Sequence, residues 1–464
     1  MIEFRNVTYL YKNGGGGVKN IDLTVNDGEF VVLCGRSGCG KTTLTRLANG
    51  LAYHFYAGRY DGTVTIDGKS VRDMPIFETG RLVGSVFQDP RDGFFAKYVE
   101  GETAFACENY GFSPTDIRAR VAAALGAVGI ENLRFAELKK LSSGEKQKVA
   151  IASVYAPAPK IYVFDEPSSN LDAAATLALA DVMRALKADG KTVVVSEHRV
   201  NYLMNLADKF VYIDGGEIAR VFTPREFANL SDAESAALGL RTPRPCAVNL
   251  PPRGDSGGGG NAGLRLNALS VSYGKKELIS GFSLSLRPGD ILAVTGTNGC
   301  GKTSLCRVIA GLKRQNRGEI LFNGKKLPPR KRLAAVYYVA NGADNQLFSS
   351  SVRDELLLGL KADPKTRERA DAILAEFGLS EYADRHPLLL SGGQKQRLTL
   401  AVAFMRDRSV IVLDEPTSGL DLTRMRHVAD AIKTASVSGK IIIVVSHDAE
   451  FVNRVCNKSV IIGS

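Results

Sequence analysis

Residues 35–43 read GRSGCGKTT, and residues 296–304 of the same chain read GTNGCGKTS. The pattern GxxxxGK[ST] predicts a glycine-rich turn between a strand and a helix, so that backbone N–H groups and the helix N-terminus face a phosphate. The apolar runs at 30–34 (FVVLC) and 291–295 (ILAVT) supply the strands, and 44–51 (LTRLANGL) and 305–312 (LCRVIAGL) the helices. Further stretches repeat in the same order. Residues 141–148 (LSSGEKQK) match 390–397 (LSGGQKQR), 161–172 (IYVFDEPSSNLD) match 410–421 (VIVLDEPTSGLD), and 193–199 (VVVSEHR) match 443–448 (IVVSHD). Ser142 to Asp165 and Ser391 to Asp414 both span 23 positions; Asp165 to His198 and Asp414 to His447 both span 33. Lys41 to Ser142 is 101 positions against 89 from Lys302 to Ser391, a 12-residue difference of the kind that gathers in surface segments. The chain is a tandem repeat.

The residue types at these positions define a chemistry. Those expected against phosphate are Gly35, Ser37, Gly38, Gly40, Lys41, Thr42 and Thr43 in the first copy, and Gly296, Asn298, Gly299, Gly301, Lys302, Thr303 and Ser304 in the second. Lys41 and Lys302 suit β and γ phosphates, and the Thr42 and Thr303 hydroxyls suit magnesium. Asp165 and Asp414 end apolar runs that read as central parallel strands, which puts a carboxylate at each tip for the same ion. Glu166 and Glu415 follow directly, where an acid can polarise an attacking water; a helix-capping Asp-Glu pair is the structural alternative. His198 and His447 close further β-branched runs, where an imidazole can touch a γ phosphate. The serines of 141–145 and 390–394 open helix-like stretches and form a second anion-binding pattern, whose role the spacing leaves open.

The chain has 464 residues, 44% hydrophobic and 23% charged, which excludes disorder as the main state. Length alone predicts about three domains. No apolar run approaches the ~18–20 residues that span a bilayer, and MIEFRNVTYLYK at the start lacks the order of a secretion signal, so a cytosolic protein is expected. The net charge of +11 fits nucleic acid, an anionic membrane face or phosphate ligands, or else is simply mild and diffuse, so charge alone decides nothing; the basic cluster at 325–332 (KKLPPRKR) reads as a solvated loop. Seven cysteines without a CxxC pair imply neither a zinc site nor a disulfide framework. Prolines and glycines mark 241–263 as a linker, which divides the chain into 1–240 and 264–464. Residues 224–240 read as one short helix, and the glycine run at 14–17 as a hairpin loop between strands 2–9 and 18–25.

Taken together, these motifs resemble the ATP-binding cassette ATPases, with Walker A, signature, Walker B, D-loop and switch histidine present twice. The resemblance covers nearly everything outside the linker. It implies an α/β fold of two tandem P-loop NTPase (RecA-like) cassettes, each with a helical signature subdomain and an antiparallel β subdomain. It also implies two ATP molecules, each with Mg2+, held between the Walker A of one cassette and the signature of the other. By that logic Lys41, Thr42, Asp165, Glu166 and His198 pair with Ser391, Gly392, Gly393 and Gln394. Lys302, Thr303, Asp414, Glu415 and His447 pair with Ser142, Ser143, Gly144 and Glu145. Tyr11 and Tyr273 stand where the family stacks an aromatic on adenine, with Tyr9 a competitor for the first. Gln88 fits the Q-loop glutamine that contacts magnesium, and Asn341 is its shorter counterpart. Ser143 replaces a signature glycine; this departure and Asn341 both fall on the second site, which is therefore expected to hydrolyse more slowly.

Among the branches of the family, LSSGEKQKVAIASVYA, VFDEPSSNLD and SEHRVNYLMNLADK resemble the energy-coupling-factor importers of vitamins and transition metals. That branch implies a peripheral subunit at the cytoplasmic face of the membrane, driving an integral T-type subunit and a substrate-binding S-type subunit, with no nucleic acid. Glu100, Glu102, Asp354 and Glu355 are the candidate contacts with the membrane partner, or else solvated helix charges. Sugar-importer tandems and ribosome-binding, translation-factor tandems are the alternatives; the latter carry a long charged arm for which the 23-residue linker is too short. Cys39 and Cys300 lie inside the phosphate loops, so alkylation is expected to inactivate and ATP to protect.

Overall fold

The computed structural model describes every residue except 13–15, 170, 251–262, 275, 343–345 and 464, and omits the side chains of residues 91, 92, 143 and 273. The chain forms two compact units, Met1–Pro245 and Cys246–Ser464. Residues 251–262 of the linker expected over 241–263, and 14–15 of the glycine run, lie outside the described residues.

In the first unit the β-branched runs Phe30–Gly35, Ile161–Asp165 and Thr192–Ser196 become neighbouring parallel strands. The full sheet runs 217–222, 209–214, 30–35, 192–196, 161–165, 83–86, with only the 217–222 edge antiparallel. Such strands are covered on both faces, which is why they read as continuous apolar runs. Within Phe30–Gly35, Phe30, Val32 and Cys34 enter one core while Val31 and Leu33 enter the other, as a period of two requires. The second core is closed by the antiparallel sheet Gly17–Val25, Ile2–Tyr11, Gly58–Ile66, Lys69–Ser70. The first is closed by helices that include Val99–Asn109, Pro114–Ala127 and Ser143–Tyr155.

The second unit repeats this order as 336–339, 410–414, 441–445, 291–295, 458–461, all parallel, and among the described residues without the antiparallel edge. Its antiparallel sheet runs 276–286, 264–273, 317–322, 325–326. Lys41 to Val83 is 42 positions against 34 from Lys302 to Val336, so most of the length difference lies in the stretch that holds the short helix Leu51–His54.

Two local expectations are corrected. Residues 224–240 form two helices, Pro224–Ala228 and Asp232–Leu238, each opened by a Ser or Thr capping box. The basic cluster 325–332 is no solvated loop: Lys325–Lys326 is a strand and Pro329–Ala335 a helix. Arg332 is 1% exposed and donates to the Leu327 carbonyl (2.9 Å), Gln315 Oε1 (2.8 Å) and the Val308 carbonyl. A guanidinium is buried tolerably when its planar fork finds acceptors this way. Among the described residues, no helix is long and apolar enough to cross a membrane.

Candidate functional site

The sheet order sets three strand tips side by side in each unit. In the first, Phe30–Gly35 leads into the loop 35–40, Thr192–Ser196 leads to His198, and Ile161–Asp165 ends on its carboxylate. Open parallel sheets bind ligands at the carboxyl ends of their strands. Gly35 has φ +145°, and a Cβ there would stand 2.2 Å from the Ile213 carbonyl oxygen; its counterpart Gly296 has φ +140° and would meet the Ile462 oxygen at 2.3 Å. Only glycine allows this close approach. Gly40 and Gly301 precede the helices Lys41–Ala48 and Lys302–Ile309 in the left-handed region, and neither helix has a side-chain cap. Their first N–H groups are thus left for an external acceptor.

Lys41 is 5% exposed, and its Nζ donates to the Gly35 and Arg36 carbonyls at 3.0 and 3.1 Å; Lys302 repeats this with Gly296 and Thr297 at 2.8 and 2.9 Å. Thr42 Oγ1 donates to Asp165 (3.2 Å) and Thr303 Oγ1 to Asp414 (2.9 Å). This donor set of hydroxyl and carboxylate oxygens suits Mg2+, a hard cation. Burial, with Glu166 adding to it, pushes the Asp165 carboxyl up to about 6, and burial raises Asp414 as well.

Glu166 and Glu415 occupy the left-handed region, at φ +46° and +53°, a conformation that costs a non-glycine residue energy and clusters at functional sites. Their amides are held by the Ser196 and Val445 carbonyls, each at 2.9 Å. Glu166 Oε2 accepts from Gln88 (2.8 Å), and its Oε1 stands 3.2 Å from His198 Nε2. The His198 ring lies 3.5 Å from Lys41 Nζ and 3.4 Å from Ser37 Oγ; His447 meets Asn298 Oδ1 at 3.0 Å and Glu415 at 3.6 Å. Within each unit, then, lysine, threonine, aspartate, glutamate and histidine converge. Strand register puts Asn341 where Gln88 stands, since each lies two residues beyond the strands Val336–Val339 and Val83–Val86.

One contact on the second site escaped the sequence reading: Tyr338 OH donates to Asp414 Oδ2 (2.9 Å), sharing that oxygen with Thr303. Its counterpart in the first unit is Ser85, which accepts from Asn49 instead (3.0 Å). The signature serines also have a local role. Ser142 caps Ser143–Tyr155 in a capping box with Glu145, and Ser391 caps Gly392–Met405 with Gln394. The spacing S-x-x-[EQ] carried that signal. The Gln394 side chain is accordingly turned onto Ser391 N (2.8 Å). A Cβ at Gly392 meets open space, so nothing within that unit forbids a side chain at the position Ser143 fills in the other.

Tyr9 is 1% exposed, its hydroxyl donating to Ala52 and Tyr56 carbonyls at 2.9 Å, and so has no face for a nucleotide; Tyr11 is half-buried and available. The Tyr273 side chain lies outside the described residues. Cys39 is buried, and burial pushes its thiol up, which leaves Cys300 the accessible cysteine of the two loops. Glu102 and Glu355 are corrected from surface contacts to internal clamps, at 3% and 2% exposure. Glu102 accepts from the amides of Phe95 (2.9 Å) and Ala96 (2.8 Å), Glu355 from those of Phe348 (2.8 Å) and Ser349 (2.7 Å). Glu100 pairs with Arg134 while keeping part of its surface, and Asp354 is exposed.

A sequence model of the family described as ABC transporter matches residues 18–169 and 279–418, more than half of the chain. A protein of Treponema denticola, provisionally named an ABC transporter ATP-binding protein, is 39% identical over 469 residues, covering 100% of this chain and 95% of that protein. YkoD of Bacillus subtilis, provisionally named an HMP/thiamine import ATP-binding protein, is 32% identical over 94% of this chain and 84% of its own length. Among solved structures, a chain in a model of ribosome-bound archaeal Pelota and ABCE1 matches with TM-score 0.68 and 23% identity, over 98% of this chain and 76% of that one, a likeness of fold.

The raised Asp165 pKa makes a prediction for the protein free of nucleotide and metal. A carboxyl whose folded-state pKa lies above its unfolded value favours the fold when protonated, and that stability is lost as pH rises from the ordinary carboxylate range through about 6. Asp165→Asn in chelator should therefore raise the thermal midpoint by a few degrees near pH 8 and by almost nothing near pH 4. An equal change at both values would contradict this assignment.

Proposed function

The chain belongs to the ABC transporter family and is an ATPase of that family; from that premise we propose that it is the energy-coupling subunit of an importer of the vitamin or transition-metal class. In this reading it works at the cytoplasmic face of the membrane and drives a T-type subunit and a substrate-binding S-type subunit. The observation that carries the proposal is a repeated surface. Seven residues beyond Gln88 and Asn341, each unit holds an exposed phenylalanine, Phe95 (73%) or Phe348 (77%), on a loop clamped by Glu102 or Glu355. Two equivalent apolar points, one in each unit, suit a partner that engages both units. Glu100 and Asp354, which keep surface exposed a few residues further on, stay as candidate acidic contacts with that partner. The full-length similarity to YkoD supports the importer class.

The chemistry follows from the groups that converge within each unit. Glu166 or Glu415 orients a water whose oxygen bonds the γ phosphorus as the bond to the β–γ bridging oxygen breaks. Lys41 or Lys302 and the loop amides offset charge on the departing phosphates, and His198 or His447 fixes the γ group. Magnesium, when bound through Thr42 and Asp165 or Thr303 and Asp414, supplies further charge neutralisation. Asn341, shorter than Gln88, and Tyr338 on Asp414 both bear on the second site and support slower turnover there.

Affinity isolation of the full chain from membranes of its own cell tests the importer reading. The expected result is co-isolation with an integral membrane subunit, reduced by Phe95→Asp or Phe348→Asp. Recovery with ribosomes through a high-salt wash, and without a membrane subunit, would overturn it. A second prediction concerns the asymmetry: Glu166→Gln should remove most single-turnover ATP hydrolysis and Glu415→Gln the smaller part. Equal losses would show that the two sites are equivalent.

A further inference from the structure

Ser168 and Thr417 hold corresponding places, three residues beyond Asp165 and Asp414. In the second unit Thr417 Oγ1 donates to Asp448 Oδ2 (3.1 Å), the residue after His447, and Asp448 is 7% exposed. In the first unit the residue after His198 is Arg199, which cannot accept a hydrogen bond. The carboxylate has moved to the other side of the histidine, where Glu197 replaces Ser446. Glu197 is 2% exposed; its Oε2 accepts from Ser168 Oγ (2.7 Å) and Tyr202 OH (2.9 Å). Its Oε1 accepts from the amides of His198 (2.7 Å) and Arg199 (3.1 Å). The Arg199 guanidinium donates to the Ser168 carbonyl, completing the link from the opposite side.

The phenol of Tyr202 exchanges along with the carboxylate. Its counterpart is Phe451, fully buried, in the unit where no carboxylate stands at that place. Burial and the neighbouring Glu197 hold the Tyr202 phenol above its ordinary pKa, so that it stays a donor. The sets Glu197, Arg199, Tyr202 and Ser446, Asp448, Phe451 are thus two solutions to one requirement: a buried carboxylate must join the turn after the catalytic glutamate to the segment that carries the histidine. They differ in what they leave to the glutamate. The His447 amide points at Glu415 Oε2 (3.5 Å), whereas the His198 amide is taken by Glu197, and Glu166 serves Gln88 and the histidine ring.

We propose that Glu197 is a positioning residue of the first ATP site: it fixes His198 and the Ser168 turn against Glu166, with Arg199 and Tyr202 as its complements. Either single exchange breaks the arrangement. Glu197→Ser leaves the donors of Ser168, Tyr202 and His198 without their acceptor, and Arg199→Asp crowds two carboxylates onto one hydroxyl. The triple exchange Glu197→Ser, Arg199→Asp, Tyr202→Phe installs the set of the second unit. The inference rests on the ATPase chemistry, and its readout needs no membrane partner, so a failed co-isolation leaves it standing.

The experiment is single-turnover ATP hydrolysis by the full chain carrying Glu415→Gln, with the ATP concentration for half-saturation and the thermal midpoint measured beside it. Each single exchange should slow hydrolysis about tenfold while changing half-saturation less than about threefold, and the triple exchange should return the rate to within about threefold of the parent. Singles that hydrolyse at the parent rate would overturn the proposal. So would a triple variant whose thermal midpoint recovers while its rate does not, since that marks Glu197 as structural only.

Discussion

The hydrogen bond from the threonine after the phosphate-loop lysine to the aspartate at a strand tip is the constraint on which each unit turns. Thr42 and Asp165 belong to elements separated by an intervening strand, as do Thr303 and Asp414. The bond can form only if the sheet runs parallel, in this order, with its tips level. That requirement explains the buried β-branched strands, the glycine that passes against a neighbouring carbonyl, and the uncapped helix that follows it. It also explains a tolerated cost: a carboxylate buried enough to be raised to about 6 is kept at the centre of the fold.

Around this bond the two units differ in ways that bear on chemistry rather than architecture. Asp414 shares its oxygen with a tyrosine hydroxyl, and Asp165 has a serine at the corresponding place. The histidine segment is tied down by a carboxylate before the histidine in one unit and after it in the other. The order of the five parallel strands, the loop geometry and the strained glutamates are alike in both. The frame repeats, while the side chains around the strand tips differ.

Much of this was legible in the sequence because the motifs repeat at fixed spacing, and because strand tips and glycine turns have few alternatives. The residues that were not legible fail for particular physical reasons. Tyr9 and Tyr11 share a face by the period of two, so alternation could not choose between them; only the bonds to the Ala52 and Tyr56 carbonyls bury Tyr9. Glu102 and Glu355 look like helix-surface acids, and their burial depends on loops folding back to offer amides. Arg332 sits in a basic run that reads as solvated until its three acceptors assemble around it. Glu197 was hidden by its more conspicuous neighbour, the histidine.

One chain with two sets of phosphate-binding and catalytic groups should hold two nucleotides at once. Equilibrium ATP binding to the full chain with Glu166→Gln and Glu415→Gln, in magnesium, tests it most directly. Two ATP molecules per chain are expected, falling to one when Lys41→Ala or Lys302→Ala is added. A single ATP per chain before either lysine is changed, or binding unaffected by one of the two lysines, would contradict it.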